Sequence, residues 1–165
     1  MDSPEISYLG VGLPYIRMSN ITGKLIVIEG TDGVGRSSHI AAIKEWLEIR
    51  GCGVMITSWT KSNLMAEAIK KAKAGHNLNP YTYSLFYLAD FADRLEHQII
   101  PALKAGFVVL ADRYVYTVFA RTAIRGVDHE WIRRIFGFAV KPDAVLYMRI
   151  EVKDLLSRVI NSQPM

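Results

Sequence analysis

Short β-branched, apolar runs recur along this chain, and the segments between them carry a helical period. The runs are KLIVIE (24–29), GVMITSW (53–59), FVVLA (107–111) and AVLYMRI (144–150). Each is too short for a helix of ordinary length, and the apolar continuity fits strands covered on both faces. Between the first two, SSHIAAIKEWLEIR (37–50) sets Ile40, Ile43, Trp46 and Leu47 on one stripe, and Gly51 can end it in a left-handed conformation. LMAEAIKKAKAG (64–75) reads as a second helix with a basic outer face. Asn79 and Pro80 supply a cap and a first-turn proline for a long helical stretch over 81–106, which Pro101 should bend or restart. Asp128 can cap a helix over 129–139, and 152–160 repeats the helical pattern. Strands that alternate with helices run parallel and are joined by crossovers. The expected fold is α/β, with three layers: a parallel sheet and helices on both faces.

A chain of 165 residues, half of them hydrophobic and 22% charged, has room for one domain with a real core. Residues 1–22 carry Pro4 and Pro14 and no sustained period, so they read as an N-terminal extension packed on a domain spanning 23–165. The Gly10-Val11-Gly12 stretch has no strand before it and no helix after it, which makes it a turn. The last helical pattern ends close to residue 165. A doubly wound sheet commonly has a fifth strand, so that strand is expected to be missing from the sequence. The single cysteine, Cys52, cannot form an intramolecular disulfide and reads as a packed thiol beside a strand. It forms no zinc-type spacing with the four histidines. The formal charge of +4 suits an anionic small ligand, and without a long basic run nucleic acid is not the preferred partner. No apolar run approaches membrane-spanning length, and no secretory pattern opens the chain; a cytoplasmic protein without a membrane partner is expected.

The chemistry gathers in GTDGVGRSS (30–38), which follows the first strand and opens the first helix. A loop of this form lets backbone N–H groups converge on phosphate oxygens while the helix points its positive end at the same place. Gly30, Thr31, Asp32, Gly33, Val34, Gly35, Arg36, Ser37 and Ser38 are the candidate nucleotide-binding residues, against the alternative of an ordinary glycine turn. Ser37 can ligate Mg²⁺ through its hydroxyl. Arg36 stands where the motif has lysine. It keeps the charge but brings a wider planar fork, so either it still serves the phosphates during transfer or the fold has become catalytically silent.

A second constellation is Asp112-Arg113-Tyr114, at the end of the third strand. Ligands of open α/β sheets gather at the carboxyl ends of strands, so Asp112 can hold Mg²⁺ and Arg113 can neutralise a phosphate; the plainer reading is a surface ion pair. Asp93, Arg94, Glu96 and His97 share one helix and, taken alone, read as a solvated charged face.

Three segments in order, GKLIVIEGTDGVGRSSH (23–39), FADRLEHQIIPALKAGFVVLADRY (91–114) and KPDAVLYMRIEVKDLLSRV (141–159), make the chain similar to the thymidylate kinase family of P-loop nucleotide kinases. The resemblance implies a P-loop NTPase fold with five parallel strands, Mg²⁺-ATP as donor, deoxythymidine monophosphate (dTMP) as the favoured nucleoside monophosphate acceptor, and a homodimer. It assigns Gly30 to Ser37 to the donor phosphates, Asp32 to a place between donor and acceptor, and Arg94 to the acceptor, where Phe91 or Phe86 serves as the family's aromatic only with a local shift. Arg113 falls to the acceptor phosphate or the transferring group, and Asp112 to Mg²⁺. Arg36, Asp112 and Arg113 are then the catalytic candidates. Preplaced cations and amides suit a transition state whose charge spreads over phosphoryl oxygens.

The chain departs from the family at several points. Arg36 replaces lysine, and Asp90 stands four residues before Arg94, where an aromatic is common. Arg121 and Thr122 replace the Tyr-Gln pair that helps surround the base, and the lid that usually follows the last helix is expected beyond residue 165. The leading expectation is ATP-dependent transfer to a nucleoside monophosphate. The alternative is a catalytically weakened nucleotide-binding or regulatory module of the same fold.

Overall fold

The computed structural model describes residues 8–12, 20–75 and 78–155. Strands β1 (Lys24–Gly30), β2 (Val54–Ser58), β3 (Val108–Asp112) and β4 (Ala144–Met148) form one parallel sheet in the order β2-β3-β1-β4. Ile28 stands opposite Asp112, and Asp112 opposite Ser58. The carboxyl ends of β1, β3 and β2 therefore finish at one level, and the segments leaving them share one edge.

Alternation along the strands divides the core. Leu25 and Val27 of β1, with Val109 and Ala111 of β3, face one side and pack with Phe91, Leu95, Ile99, Leu103 and Tyr114. Ile28 and Leu110 face the other side and meet Ile40, Ile43 and Leu47 of α1 (Arg36–Glu48). The first side is covered by α2 (Ala66–Gly75), α3 (Pro80–Arg94), α4 (Ile100–Lys104), α5 (Val115–Ile124) and α6 (His129–Ile135). Each large apolar side chain sealed in this way contributes about 1.5–3 kcal/mol of transfer free energy. The three layers are those the strand–helix alternation requires.

The long stretch 81–106 resolves into α3, a π-helical turn at Leu95–Ile99, and α4. Pro101 has no N–H for the carbonyl of His97 and its ring crowds that carbonyl, so the chain widens just before it. The Ile100 N–H reaches back to the Leu95 carbonyl across the wide turn. Asn79 and Asp128 cap α3 and α6 through their side chains, as expected, although α6 ends at Ile135.

Helix α5 has no counterpart in the sequence reading. Its N-cap, Tyr114, offers no side-chain acceptor. The acceptor comes from β1: buried Glu29 takes hydrogen bonds from the Tyr114 N–H (2.9 Å), the Thr117 N–H (3.3 Å) and the Thr117 hydroxyl (2.7 Å). A carboxylate on a helix N-terminus satisfies orphan donors and complements the helix dipole.

Strand β4 departs from the expected covering on both faces. Val145, Leu146 and Tyr147 are 45%, 46% and 71% exposed, because among the described residues β4 has only β1 as a neighbour. The expected fifth strand is not among the described residues. At the other end, Tyr8 bridges Val140 and the Gly10 N–H donates to the Gly137 carbonyl at 2.8 Å, so this part of the extension packs on the domain. Pro4, Pro14 and positions 156–160 of the last expected helix lie outside the described residues; 152–155 are helical. Cys52 is half-buried.

Candidate active site

The loop between β1 and α1 is shaped by backbone conformations that exclude side chains. Gly30 has φ 147°, and a Cβ there would lie 2.7 Å from the Met148 carbonyl oxygen of the neighbouring strand. Gly35, at φ 95°, caps α1 without any side-chain acceptor for the first turn. The N–H groups at that helix start are thus open toward the loop, the arrangement that receives phosphate. Gly30→Ala is expected to destabilise the fold by about 2 kcal/mol or more, because strain and a backbone clash coincide. Thermal unfolding with and without ATP checks this: the melting temperature falls and the ATP-induced rise shrinks.

Around the loop mouth the structure gathers Asp32, Arg36, Asp112, Arg113 and Arg121. Asp32 is 83% exposed and lies 2.6 Å from Arg113 Nη2, 3.5 Å from Arg36 Nη2 and 4.0 Å from Arg121 Nη2. Arg113 has φ 69°, a rare conformation for a residue with a side chain. Its side chain is only 10% exposed, and Nε makes no hydrogen bond among the described residues. Burial, then the charge of Arg36, pushes its pKa below the ordinary value, while Asp32 pulls it back up.

Arg36 is occupied differently from the expectation of a free phosphate ligand. Its Nε donates to Asp112 Oδ1 at 2.7 Å, and Nη1 donates to the carbonyls of Gly30 (2.7 Å) and Thr31. The wide guanidinium spans from the loop to the end of β3, a reach the compact ammonium of lysine does not have. In this state Arg36 clamps the loop.

Two cavities open here. One, of about 330 Å³, is lined by Asp32, Arg36, Asp112, Arg113 and Arg121, with Trp59, Lys61 and Lys73. The other, of about 550 Å³, shares Asp32, Arg113 and Arg121 and adds Glu29, Tyr116, Thr117 and Tyr147. Sequence reasoning missed Glu29, Trp59, Lys61 and Lys73. The rule that ligands gather at the carboxyl ends of strands points to Trp59 and Lys61 just past β2, but no motif marks them. A groove of about 350 Å³ on the α1 side is lined by Ser37, Ser58 and Asp112 among others. The hydroxyls and the carboxylate are hard oxygen donors of the kind Mg²⁺ accepts, and such sites commonly draw their remaining ligands from substrate phosphates and water. No cluster of three or more His, Cys, Asp or Glu side chains that could hold a metal ion occurs among the described residues.

Phe91 and Arg94 are not brought to these cavities, and both are fully buried. Phe91 lies on the sheet-facing stripe of α3 and packs edge-on to Tyr114 at 5.1 Å and against Phe136 at 5.8 Å. Arg94 Nε donates to Asp90 Oδ2 at 2.9 Å and Nη1 to the Thr57 hydroxyl at 3.1 Å. The solvated face expected for this part of the helix includes the His97–Asp93 pair, where His97 is 70% exposed, and does not include the buried Arg94.

A parallel sheet whose first strand feeds a glycine loop into a helix start, with an Asp-Arg pair ending the adjacent strand, makes this a P-loop NTPase fold. A family model described as thymidylate kinase matches residues 28–164, and the chain belongs to the thymidylate kinase family. It is 44% identical over 137 residues to a protein named probable thymidylate kinase 2 from Saccharolobus solfataricus, covering 83% of this chain and 64% of that one. It is 34% identical over 143 residues to a probable thymidylate kinase from Thermococcus kodakarensis, covering 81% and 70%. The crystal structure of thymidylate kinase from Ehrlichia chaffeensis superposes with a TM-score of 0.71 over 84% of this chain and 83% of that one, and at 23% identity this likeness speaks for the fold. The chain thus spans about two thirds of the length of the curated relatives named here.

Proposed function

We propose that the protein transfers the γ-phosphoryl group of ATP to a nucleoside monophosphate, with dTMP the favoured acceptor. The observation that carries this reading is the meeting of Arg113, Arg36 and Arg121 at Asp32, within the loop that leads into α1. An oxygen of the acceptor phosphate attacks the γ-phosphorus, the bond to the bridging oxygen of ADP breaks, and the products are a nucleoside diphosphate and ADP. The loop amides hold the donor phosphates. Arg113 and Arg121 lie beside the acceptor cavities, where their charges can meet the acceptor phosphate and the equatorial oxygens of the group in flight. Little covalent chemistry is asked of the protein, so catalysis rests on position and charge. Ser37 and Asp112 are the residues that would hold Mg²⁺, which when bound neutralises charge on the donor phosphates. A homodimer in the cytoplasm completes the proposal, on the likeness to the family. The names of the curated relatives support dTMP over other acceptors.

The test is to incubate the protein with Mg²⁺-ATP and a panel of ribo- and deoxyribonucleoside monophosphates and to quantify the diphosphates. The expected result is dTDP as the dominant product. Heat stabilisation by ATP with no diphosphate from any acceptor would replace this reading with a nucleotide-binding module.

A further inference from the structure

Arg113 reaches the loop mouth from a strained backbone. Its φ of 69° lies in the left-handed region, which a residue with a long side chain keeps only when its surroundings impose it. The side chain does not impose it. Nη2 meets exposed Asp32 at 2.6 Å and, at a long 3.4 Å, the Gly30 carbonyl, while Nε has no partner among the described residues.

The constraint lies in the peptide groups on either side. The Arg113 N–H donates to the Ile28 carbonyl at 3.0 Å, and the following N–H, of Tyr114, donates to the Glu29 carboxylate at 2.9 Å. Consecutive residues of β1 thus grip the two peptide planes that define the φ and ψ of Arg113. Glu29 is 6% exposed, and it also takes the Thr117 N–H at 3.3 Å and the Thr117 hydroxyl at 2.7 Å. Tyr114 is fixed from its far end as well, its buried hydroxyl donating to the Val140 carbonyl at 3.0 Å. The residue after Glu29 is Gly30, the start of the glycine loop. One carboxylate therefore ties the donor loop to the element that carries Arg113. Glu29 lines the larger cavity, yet the work of a base is not open to it. A phosphate monoester is already an anion at neutral pH and needs no proton removed, and both carboxylate oxygens are engaged by α5.

We propose that Glu29 is a positioning residue for Arg113: by gripping the first turn of α5 it keeps Arg113 in its left-handed conformation, with the guanidinium aimed at the phosphoryl group in transit. The inference rests on the phosphotransfer reading and adds a residue that acts on the chemistry only through Arg113. What matters at position 29 is then the reach of the acceptor oxygens, and the negative charge is secondary.

Glu29→Asp and Glu29→Gln separate reach from charge. Asp keeps the charge on a side chain one methylene shorter. Gln loses the charge but keeps a carbonyl oxygen for the N–H groups, and its NH₂ can donate to the Thr117 hydroxyl. With Mg²⁺-ATP and dTMP, Glu29→Asp is expected to lower kcat roughly fiftyfold with the KM for ATP unchanged, the scale of a misplaced reacting group. Glu29→Gln stays within about threefold of the parent. In an Arg113→Met background, Glu29→Asp costs less than about twofold more, because the group it positions is gone. A merely structural Glu29 would lower the rate by the same factor in both backgrounds. If Glu29→Asp does not fold, Thr117→Val carries the same cycle: it keeps the shape, removes the hydroxyl bond, and lowers kcat roughly fivefold only where Arg113 is present. Equal losses in the two backgrounds, or a Glu29→Gln variant as slow as Glu29→Asp, overturn the positioning role and leave phosphotransfer standing. If the parent forms no dTDP, both readings fall.

Discussion

Replacing Arg113 by Met lowers the rate of phosphoryl transfer to dTMP roughly a thousandfold, the scale seen when one preorganised charge donor is lost from a transition state. The fold is expected to survive. Arg113 is nearly buried, but its carboxylate partner Asp32 is 83% exposed and returns to water when the pairing is lost. The Arg113 Nε has no hydrogen bond to lose among the described residues. An ion pair with one solvated partner contributes little to stability, so the unfolding free energy should stay within about 1 kcal/mol of the parent. Steady-state kinetics beside chemical denaturation separate the two effects. A variant that unfolds readily, or that retains most of the parental rate, would show Arg113 to be a scaffold residue and remove it from the chemistry.

The largest stability effect is expected at Arg94. Arg94→Leu leaves the Asp90 carboxylate fully buried with the Ser62 N–H as its remaining donor among the described residues, and breaking a buried pair from one side costs roughly 3–5 kcal/mol. Denaturant titration should show that loss as a lower midpoint at unchanged slope. The double variant Asp90→Leu with Arg94→Leu removes the stranded charge and should recover at least half of the lost stability, because an apolar pair of suitable volume can replace a buried ion pair. Equal losses in the single and double variants would mean that packing around Trp59 and Phe91, and not the stranded carboxylate, dominates the site.

These two arginines also mark what local sequence can reveal. The strands were readable because β-branched runs bounded by turns have few other uses, and the loop was readable because its glycines follow a strand and precede a helix. Helix α5 was not, because its N-terminus is completed by Glu29 from β1, a partner that no window around Val115 contains. The Asp90–Arg94 spacing is that of a helical ion pair, and such pairs are ordinarily solvated. Its burial comes from Thr57 and Trp59 at the end of β2, which fold over it from a distant part of the chain. Phe91 followed the opposite course. With Tyr87 and Leu95 it forms an i, i+4 apolar series, and that period points to the core more directly than likeness to a family points to a ligand. The clamp made by Arg36 was out of reach in a different way: the sequence supplies the cation, but only the register that brings Asp112 beside Ile28 supplies its carboxylate.

Direct transfer requires a donor held by the glycine loop and an acceptor held by the Arg113 side of the same hollow, close enough to exchange one phosphoryl group. Following the label of γ-phosphate-labelled ATP in the presence of Mg²⁺ and dTMP tests this most directly. Direct transfer puts the label in dTDP in step with ADP release. Label that stays in ATP, or leaves it only as inorganic phosphate, contradicts it.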